Sequence, residues 1–250
     1  MLIAQDLALA LDPALIGERV GLTLDPWQAT LIREQPRRAL LLCSRQSGKS
    51  TATALLALHV AIFQPGALIL LLSPSQRQSQ ELFRTLMLYH GKLAGAPTLT
   101  AESLLRAELA NGSRIIALPG GGEGKTVRGY SAVKLAVVDE AARCEDGLFS
   151  VVRPMLGTSD GSLVMLSTPA GRRGEFHRAW VEGEGWTRVR IPASACPRLS
   201  PEFLAEERRE LGAMRYSEEY ELAFLEPDES VFPTTMIDRA FTTDVRPLWS

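Results

Sequence analysis

The chain has 250 residues, 46% of them hydrophobic, enough to bury a full core in one large or two small domains. Its net charge of −2 excludes a uniformly basic nucleic-acid binder but leaves room for a local groove of Lys and Arg. The cysteines, Cys43, Cys144 and Cys196, are widely spaced with no CxxC pair, which points to a reducing compartment, no structural metal and a packing role for Cys144 and Cys196.

The opening Met-Leu-Ile-Ala-Gln-Asp lacks a basic stretch, and the most apolar run, 52–72, is cut by His59 and by Gln64-Pro65-Gly66. Neither a signal peptide nor a transmembrane helix is expected. Residues 1–35 read as helical, with Asp12-Pro13 and Asp25-Pro26 as cap and first-turn pairs. Strand 38–43, helix 49–63, strand 67–72 and helix 76–90 then alternate, which predicts a parallel sheet covered by helices on both faces. A less regular region is expected at 98–118, followed by a glycine loop, a strand at 134–138, a helix or turn near 146–156 and a strand at 162–167.

From about Pro197 the pattern changes to charged helix, with Ser200-Pro201 as its cap and first turn. Such a helical appendage suits a lid. The last twenty residues, with Pro233 and Pro247, read as a linker, as does Pro227 just before them.

The most informative stretch is Arg38-Ala-Leu-Leu-Leu-Cys-Ser-Arg-Gln-Ser-Gly-Lys-Ser50: an apolar strand, a tight polar loop and the start of an apolar helix. This is the layout of a P-loop, in which backbone N–H groups and a helix N-terminus converge on phosphates. Ser44, Arg45, Gln46, Ser47, Gly48, Lys49, Ser50 and Thr51 would line the cradle, with Lys49 on the β- and γ-phosphates of ATP and Ser50 on Mg²⁺. Cys43 stands where the usual pattern has Gly. Pro119-Gly-Gly-Gly-Glu-Gly-Lys-Thr126 is a second near-match, but the pattern after it breaks at Gly129, so 119–126 reads as a flexible loop.

Leu135-Ala-Val-Val-Asp139-Glu140 is an apolar strand ending in two acids. Asp139 is placed to help hold Mg²⁺, and Glu140 to orient or deprotonate the attacking water. Two arginines are candidates for the positive charge that phosphoryl transfer needs: Arg45, within the loop, and Arg128, on a loop able to face a neighbouring subunit. Surface salt bridges are the plain alternative for both. Trp27 and Gln28 could seat adenine, although a buried Trp at a helix start is an equal reading. Ser167, Thr168 and Pro169 end a strand beside the expected γ-phosphate position, where hydroxyls can sense nucleotide state. Gly171-Arg-Arg-Gly174 reads as a phosphate-backbone contact or a solvated turn.

Taken together and in order, Trp27-Gln28, Ser44-Arg-Gln-Ser-Gly-Lys-Ser50, Ser73-Pro-Ser-Gln, Val127-Arg-Gly129, Val137-Val-Asp-Glu-Ala141 and Leu166-Ser-Thr-Pro169 resemble the ATPase domain of tailed-bacteriophage terminase large subunits. The resemblance covers almost the whole chain. It implies a RecA-like α/β P-loop NTPase of the ASCE type, with a mostly parallel sheet flanked by helices and a small helical C-terminal lid. The expected division is 1–195 for the ATPase core and 196–250 for the lid and linker. By the same resemblance Lys49 and Ser50 bind phosphates and Mg²⁺, Asp139 holds the metal and Glu140 is the catalytic carboxylate. Arg45 touches the γ-phosphate, Arg128 acts as an arginine finger across a ring, and Ser167-Thr168-Pro169 is the coupling motif.

The implied activity is ATP-driven translocation of double-stranded DNA into a procapsid by a homo-oligomeric ring, a pentamer on the portal. The partners are the portal protein and a small terminase subunit; no membrane is involved. The expected place is the host cytoplasm at the portal vertex, outside the structural components of the virion. Larger family members carry a C-terminal RNase H-like nuclease, which nothing here resembles, so a fragment or a nuclease-free relative is expected. A DEAD-like helicase and a non-hydrolysing nucleotide-switch scaffold are the alternative readings.

Overall fold

The computed structural model describes residues 2–122 and 124–226, so the expected linker at 231–250, with Pro233 and Pro247, and Pro227 before it lie outside the described residues. Helices α1 (Leu2–Leu11), α2 (Leu15–Arg19) and α3 (Pro26–Glu34) precede β1 (Arg38–Cys43), α4 (Lys49–Phe63), β2 (Leu68–Ser73) and α5 (Gln76–Lys92). There follow β3 (Leu99–Glu102), β4 (Arg106–Leu109), β5 (Arg114–Pro119), β6 (Val133–Asp139), α6 (Asp146–Gly157) and β7 (Ser162–Ser167). Helix α7 (Gly174–Val181), β8 (Thr187–Ile191) and α8 (Pro201–Glu219) complete the described fold.

The strands form one sheet in the order β3-β4-β5-β2-β6-β7-β1-β8. From β5 to β8 neighbouring strands pair in parallel, and β3-β4-β5 pair antiparallel. The central strands are runs of Leu, Ile, Val and Ala because both faces are covered, the condition that parallel sheets require. Their side chains alternate between two cores. Leu41, Leu71, Val137 and Leu166 pack with α4 and α5, whereas Leu40, Leu72, Val138 and Met165 pack with Leu148, Phe149 and Phe176 of α6 and α7. Helix α4, apolar around most of its circumference after the first turn, is buried on nearly every side and ends where Gln64-Pro65-Gly66 turns with Gly66 at φ +76°.

Two expectations are corrected. The stretch 98–118 is a three-strand meander, not an irregular region; its first strands are short and carry Thr, Glu and Arg, so they lack the apolar signature of the interior. Strand β8 and helix α7 lie in a region where no element was expected, because β8 is an edge strand with exposed Arg188 and Arg190. In the lid, Ser200 caps α8 by accepting a hydrogen bond from the Phe203 amide at 3.2 Å. The helix breaks at Gly212 (φ +74°, ψ 163°), which splits it into a long and a short segment. Ala193, Tyr216 and Tyr220 form its own small core, with Tyr216 and Tyr220 stacked at 5.0 Å.

A candidate nucleotide site at the carboxyl ends of the strands

The carboxyl ends of the parallel strands converge where an open α/β sheet binds ligands. Strand β1 leads into Ser44–Lys49, β6 ends at Asp139-Glu140, and β7, inserted between β1 and β6, ends at Ser167-Thr168-Pro169. This insertion separates the loop from the paired acids by two strand steps of about 4.8 Å each, and leaves room for a group between them.

The loop is built by two left-handed residues, Gln46 (φ +57°) and Gly48 (φ +85°), and closed by the Ser47 hydroxyl donating to the Ser44 carbonyl at 2.8 Å. A Cβ on residue 48 would lie 2.5 Å from Gln28 Nε2 and 3.2 Å from an Arg198 nitrogen. Cys43 needs no glycine-like freedom: it is the last residue of β1, fully buried, and the Ser44 amide after it donates to the Ile191 carbonyl at 3.0 Å. Burial pushes the Cys43 thiol up to about 12, so it is a packing group.

Lys49 is buried, and its Nζ lies 3.5 Å from Glu140 Oε1. Glu140 itself is left-handed (φ +50°), with its amide donating to Asp139 Oδ1 at 2.9 Å. Burial first, and then the charge of Glu140, raise the Asp139 carboxyl to about 6. A carboxylate so disfavoured gains from a neighbouring cation. Ser50, Asp139 and Glu140 line one open cleft of about 570 Å³, with Ser75, Arg77 and Gln78 opposite. A glycine-built cradle, a buried lysine and one carboxylate with one hydroxyl at an open cleft fit a Mg²⁺-bound triphosphate, since Mg²⁺ takes few protein ligands and keeps water and phosphate oxygens. No cluster of three or more His, Cys, Asp or Glu that could hold a metal occurs among the described residues.

The remaining predicted residues fall into three groups. Gln28 is buried against the loop: its Nε2 donates to the Gly48 carbonyl at 3.0 Å and its Oε1 accepts from the Asp25 amide at 2.8 Å. Trp27 packs partly buried against the core, and Thr51 lies near the Tyr89 hydroxyl at 3.5 Å. Arg45 is exposed and is paired with α8, where its Nε and Nη2 donate to Glu219 at 2.9 and 3.1 Å. Arg128 is exposed between the buried Val127 and Gly129 (φ +103°), with no ion pair among the described residues. Ser167 and Thr168 are buried: Ser167 Oγ accepts from the Ala142 amide at 3.3 Å and Thr168 Oγ1 from Arg143 at 3.0 Å, and Pro169 follows, also buried. Arg172 donates to the Phe224 carbonyl at 3.1 Å, tying the basic turn to the chain after the lid helix.

Three residues at the site carried no signal in the sequence. Arg143 donates to Glu140 Oε2 at 2.7 Å and lies 3.4 Å from Glu219 Oε1. Burial would raise the Glu219 carboxyl, but hydrogen bonds and charge from Arg45, with the charge of Arg143, outweigh it and hold the group below its usual value. Arg198 roofs the loop, donating to the Ser47 carbonyl at 2.7 Å and to both Asp25 oxygens at 3.1 and 2.8 Å. Glu219 and Arg198 sit some 150 or more positions from their loop partners, so local pattern does not reveal them.

The fold and the loop together define a RecA-like P-loop NTPase domain. The family model described as terminase large subunit, T4likevirus-type, N-terminal, matches residues 40–239, and the chain belongs to that family. It is 25% identical over 239 residues to the terminase large subunit of Thermus virus P23-45, covering 82% of this chain and 49% of that protein. The chain therefore spans about half the length of the curated relatives it matches. Among solved structures, the large terminase ATPase domain of Thermus phage P74-26 matches with a TM-score of 0.74 at 20% identity, over 83% of this chain and 96% of that one. The large terminase of bacteriophage D6E in complex with ATP-gamma-S matches with a TM-score of 0.65 at 9% identity, over 81% of this chain and 53% of that one.

Proposed function

We propose that this chain is the ATP-hydrolysing motor segment of a viral terminase, which draws double-stranded DNA into a procapsid. The observation that carries the reading is the meeting of Lys49 and Glu140 at 3.5 Å beside the cleft lined by Ser50 and Asp139. Family membership and the nucleotide complex of the D6E terminase support it over a helicase or a passive scaffold.

In this reading the loop amides and the N-terminus of α4 face the phosphates, and Lys49 leaves Glu140 for the β- and γ-phosphate oxygens. Ser50 and Asp139 would hold Mg²⁺, which would supply positive charge to offset that of the phosphates. Glu140, freed of Lys49, orients the attacking water and accepts its proton. Arg128, exposed and without an ion pair among the described residues, reaches the γ-phosphate of a neighbouring subunit, while Ser167-Thr168-Pro169 relay the state of the site. The working assembly is a homo-oligomeric ring, a pentamer on the portal protein, supplied with DNA by a small terminase subunit. It acts in the host cytoplasm at the portal vertex and does not remain as a structural part of the virion.

The test mixes Glu140→Ala and Arg128→Ala proteins under conditions where the ring forms and follows phosphate release with and without double-stranded DNA. Recovery of activity in the mixture, with DNA stimulation, is the expected result. Two inactive parents that stay inactive in a proven mixed ring reject the finger in trans, and an absence of turnover despite ATP binding by the unsubstituted chain rejects the motor.

A further inference from the structure

Five charged side chains form a chain of four ion pairs whose two ends, Arg45 and Lys49, stand on the phosphate loop. Arg45 and Lys49 leave the same phosphate loop in different directions: Arg45 pairs with Glu219 at 2.9 Å, and Lys49 pairs with Glu140 at 3.5 Å. Arg143 joins the two carboxylates, at 2.7 Å to Glu140 and 3.4 Å to Glu219, and its Nη1 also donates to Thr168 at 3.0 Å. Loop, acidic strand, β7 and lid helix are thus tied through one guanidinium.

The two anchors of Glu140 are unequal. Lys49 reaches Oε1 at a long distance, while Arg143 holds Oε2 at a short, charge-assisted one. Any ligand rich in phosphate charge draws Lys49 off first, which leaves Arg143 as the group that aims the carboxylate. A planar fork can span Glu140, Thr168 and Glu219 at once; a lysine ammonium cannot.

We propose that Arg143 is the positioning residue for Glu140 and the joint through which Glu219 of the lid registers the state of that carboxylate. This rests on the reading of Glu140 as the water-activating group, and it adds a residue and a route that the reading does not contain. Misplacing a catalytic group by a fraction of its reach costs on the order of 10- to 100-fold in rate without a matching loss of substrate binding.

The experiment compares kcat for phosphate release and Kd for a fluorescent ATP analogue in the unsubstituted chain, Arg143→Ala, Arg143→Lys, Glu219→Gln and the Arg143→Ala/Glu219→Gln pair, with Glu140→Gln as reference, all at one protein concentration. The expected result has four parts: Arg143→Ala loses roughly 10- to 100-fold in kcat with Kd little changed, Arg143→Lys recovers part of it, Glu219→Gln alone lowers kcat, and the pair is no worse than Arg143→Ala because both act on one joint. An unchanged kcat in Arg143→Ala beside an inactive Glu140→Gln overturns the proposal while leaving Glu140 in place. An active Glu140→Gln sinks the earlier reading instead. Losses that multiply in the pair, or an Arg143→Lys protein no better than Arg143→Ala with weakened binding in both, mark a merely structural arginine and also overturn it. Should Arg143→Ala not fold, Arg143→Gln takes its place in every comparison.

Discussion

The side-chain amide of Gln28 donates to the carbonyl of Gly48 across 3.0 Å, so the first turn of α3 holds the phosphate loop from outside. The same carbonyl accepts the Ala52 amide at 3.1 Å, which makes it the hinge between the loop and α4. Gln28→Ala strands the Asp25 amide and takes one of the two donors from that carbonyl, at a cost of about 1–3 kcal/mol, and weakens ATP binding several-fold, about 1 kcal/mol. Gln28→Glu keeps the acceptor for Asp25 but sets a buried carboxylate against the Gly48 carbonyl, so both its stability and its binding suffer. Thermal denaturation and equilibrium binding of both variants check this; unchanged affinity in both contradicts it.

Gly48→Ala meets two obstacles. The left-handed backbone costs about 1–2 kcal/mol for an L-residue, and the added methyl falls 2.5 Å from Gln28 Nε2. The expected outcome is a folded chain of lowered melting temperature with ATP affinity reduced by at least about tenfold, or 1.4 kcal/mol. Calorimetric titration with Mg·ATP reads it directly, and native affinity rules the cradle geometry out.

How far the residues announced this structure depends on where each contact lies. Strands β1, β2, β6 and β7 were legible because burial on both faces leaves uninterrupted apolar runs, and the loop at 44–50 because strand, turn and helix follow within a few residues. Strands β3, β4 and β8 were not, because the two edge strands β3 and β8, and the short β4 beside β3, mix Thr, Arg and Glu with apolar residues. Arg45 was legible as a loop residue but not as the partner of Glu219, since that pairing depends on how α8 folds back over the site. Gln28 was expected near a base; its place against the loop and its hydrogen bond to Gly48 were not readable, because that bond joins positions twenty residues apart.

Arg198 pins the segment before α8 onto the loop through Asp25 and Ser47. Its removal frees that segment while leaving the sheet intact. Arg198→Ala is therefore cut faster by a protease within 193–200, with the core fragment persisting, because local opening exposes backbone there. Identical digestion patterns for both proteins contradict the clamp.

His59 lies in α4 with Nδ1 at 3.0 Å from Gln35 Nε2 and Nε2 at 3.1 Å from the Leu9 carbonyl, stacked on Phe63. One ring nitrogen accepts and the other donates, which requires the neutral imidazole. Burial lowers its pKa, against the opposing pull of the Leu9 carbonyl. The unfolded chain therefore binds more protons than the native one below about pH 6.5, and the stability His59 contributes is present above that value and lost as pH falls towards the folded pKa. Melting temperatures recorded between about pH 5 and 7.5 fall more steeply on acidification for the unsubstituted protein than for His59→Leu. Parallel curves contradict it.

The most direct measurement is a crystal structure of the chain with Mg²⁺ and a slowly hydrolysed ATP analogue. The account predicts the triphosphate against the amides of 45–50, Lys49 turned from Glu140 to the phosphates, the metal between Ser50 and Asp139, and Glu140 facing the terminal phosphate. A nucleotide bound elsewhere, or Glu140 still paired with Lys49 beside a filled cradle, contradicts it.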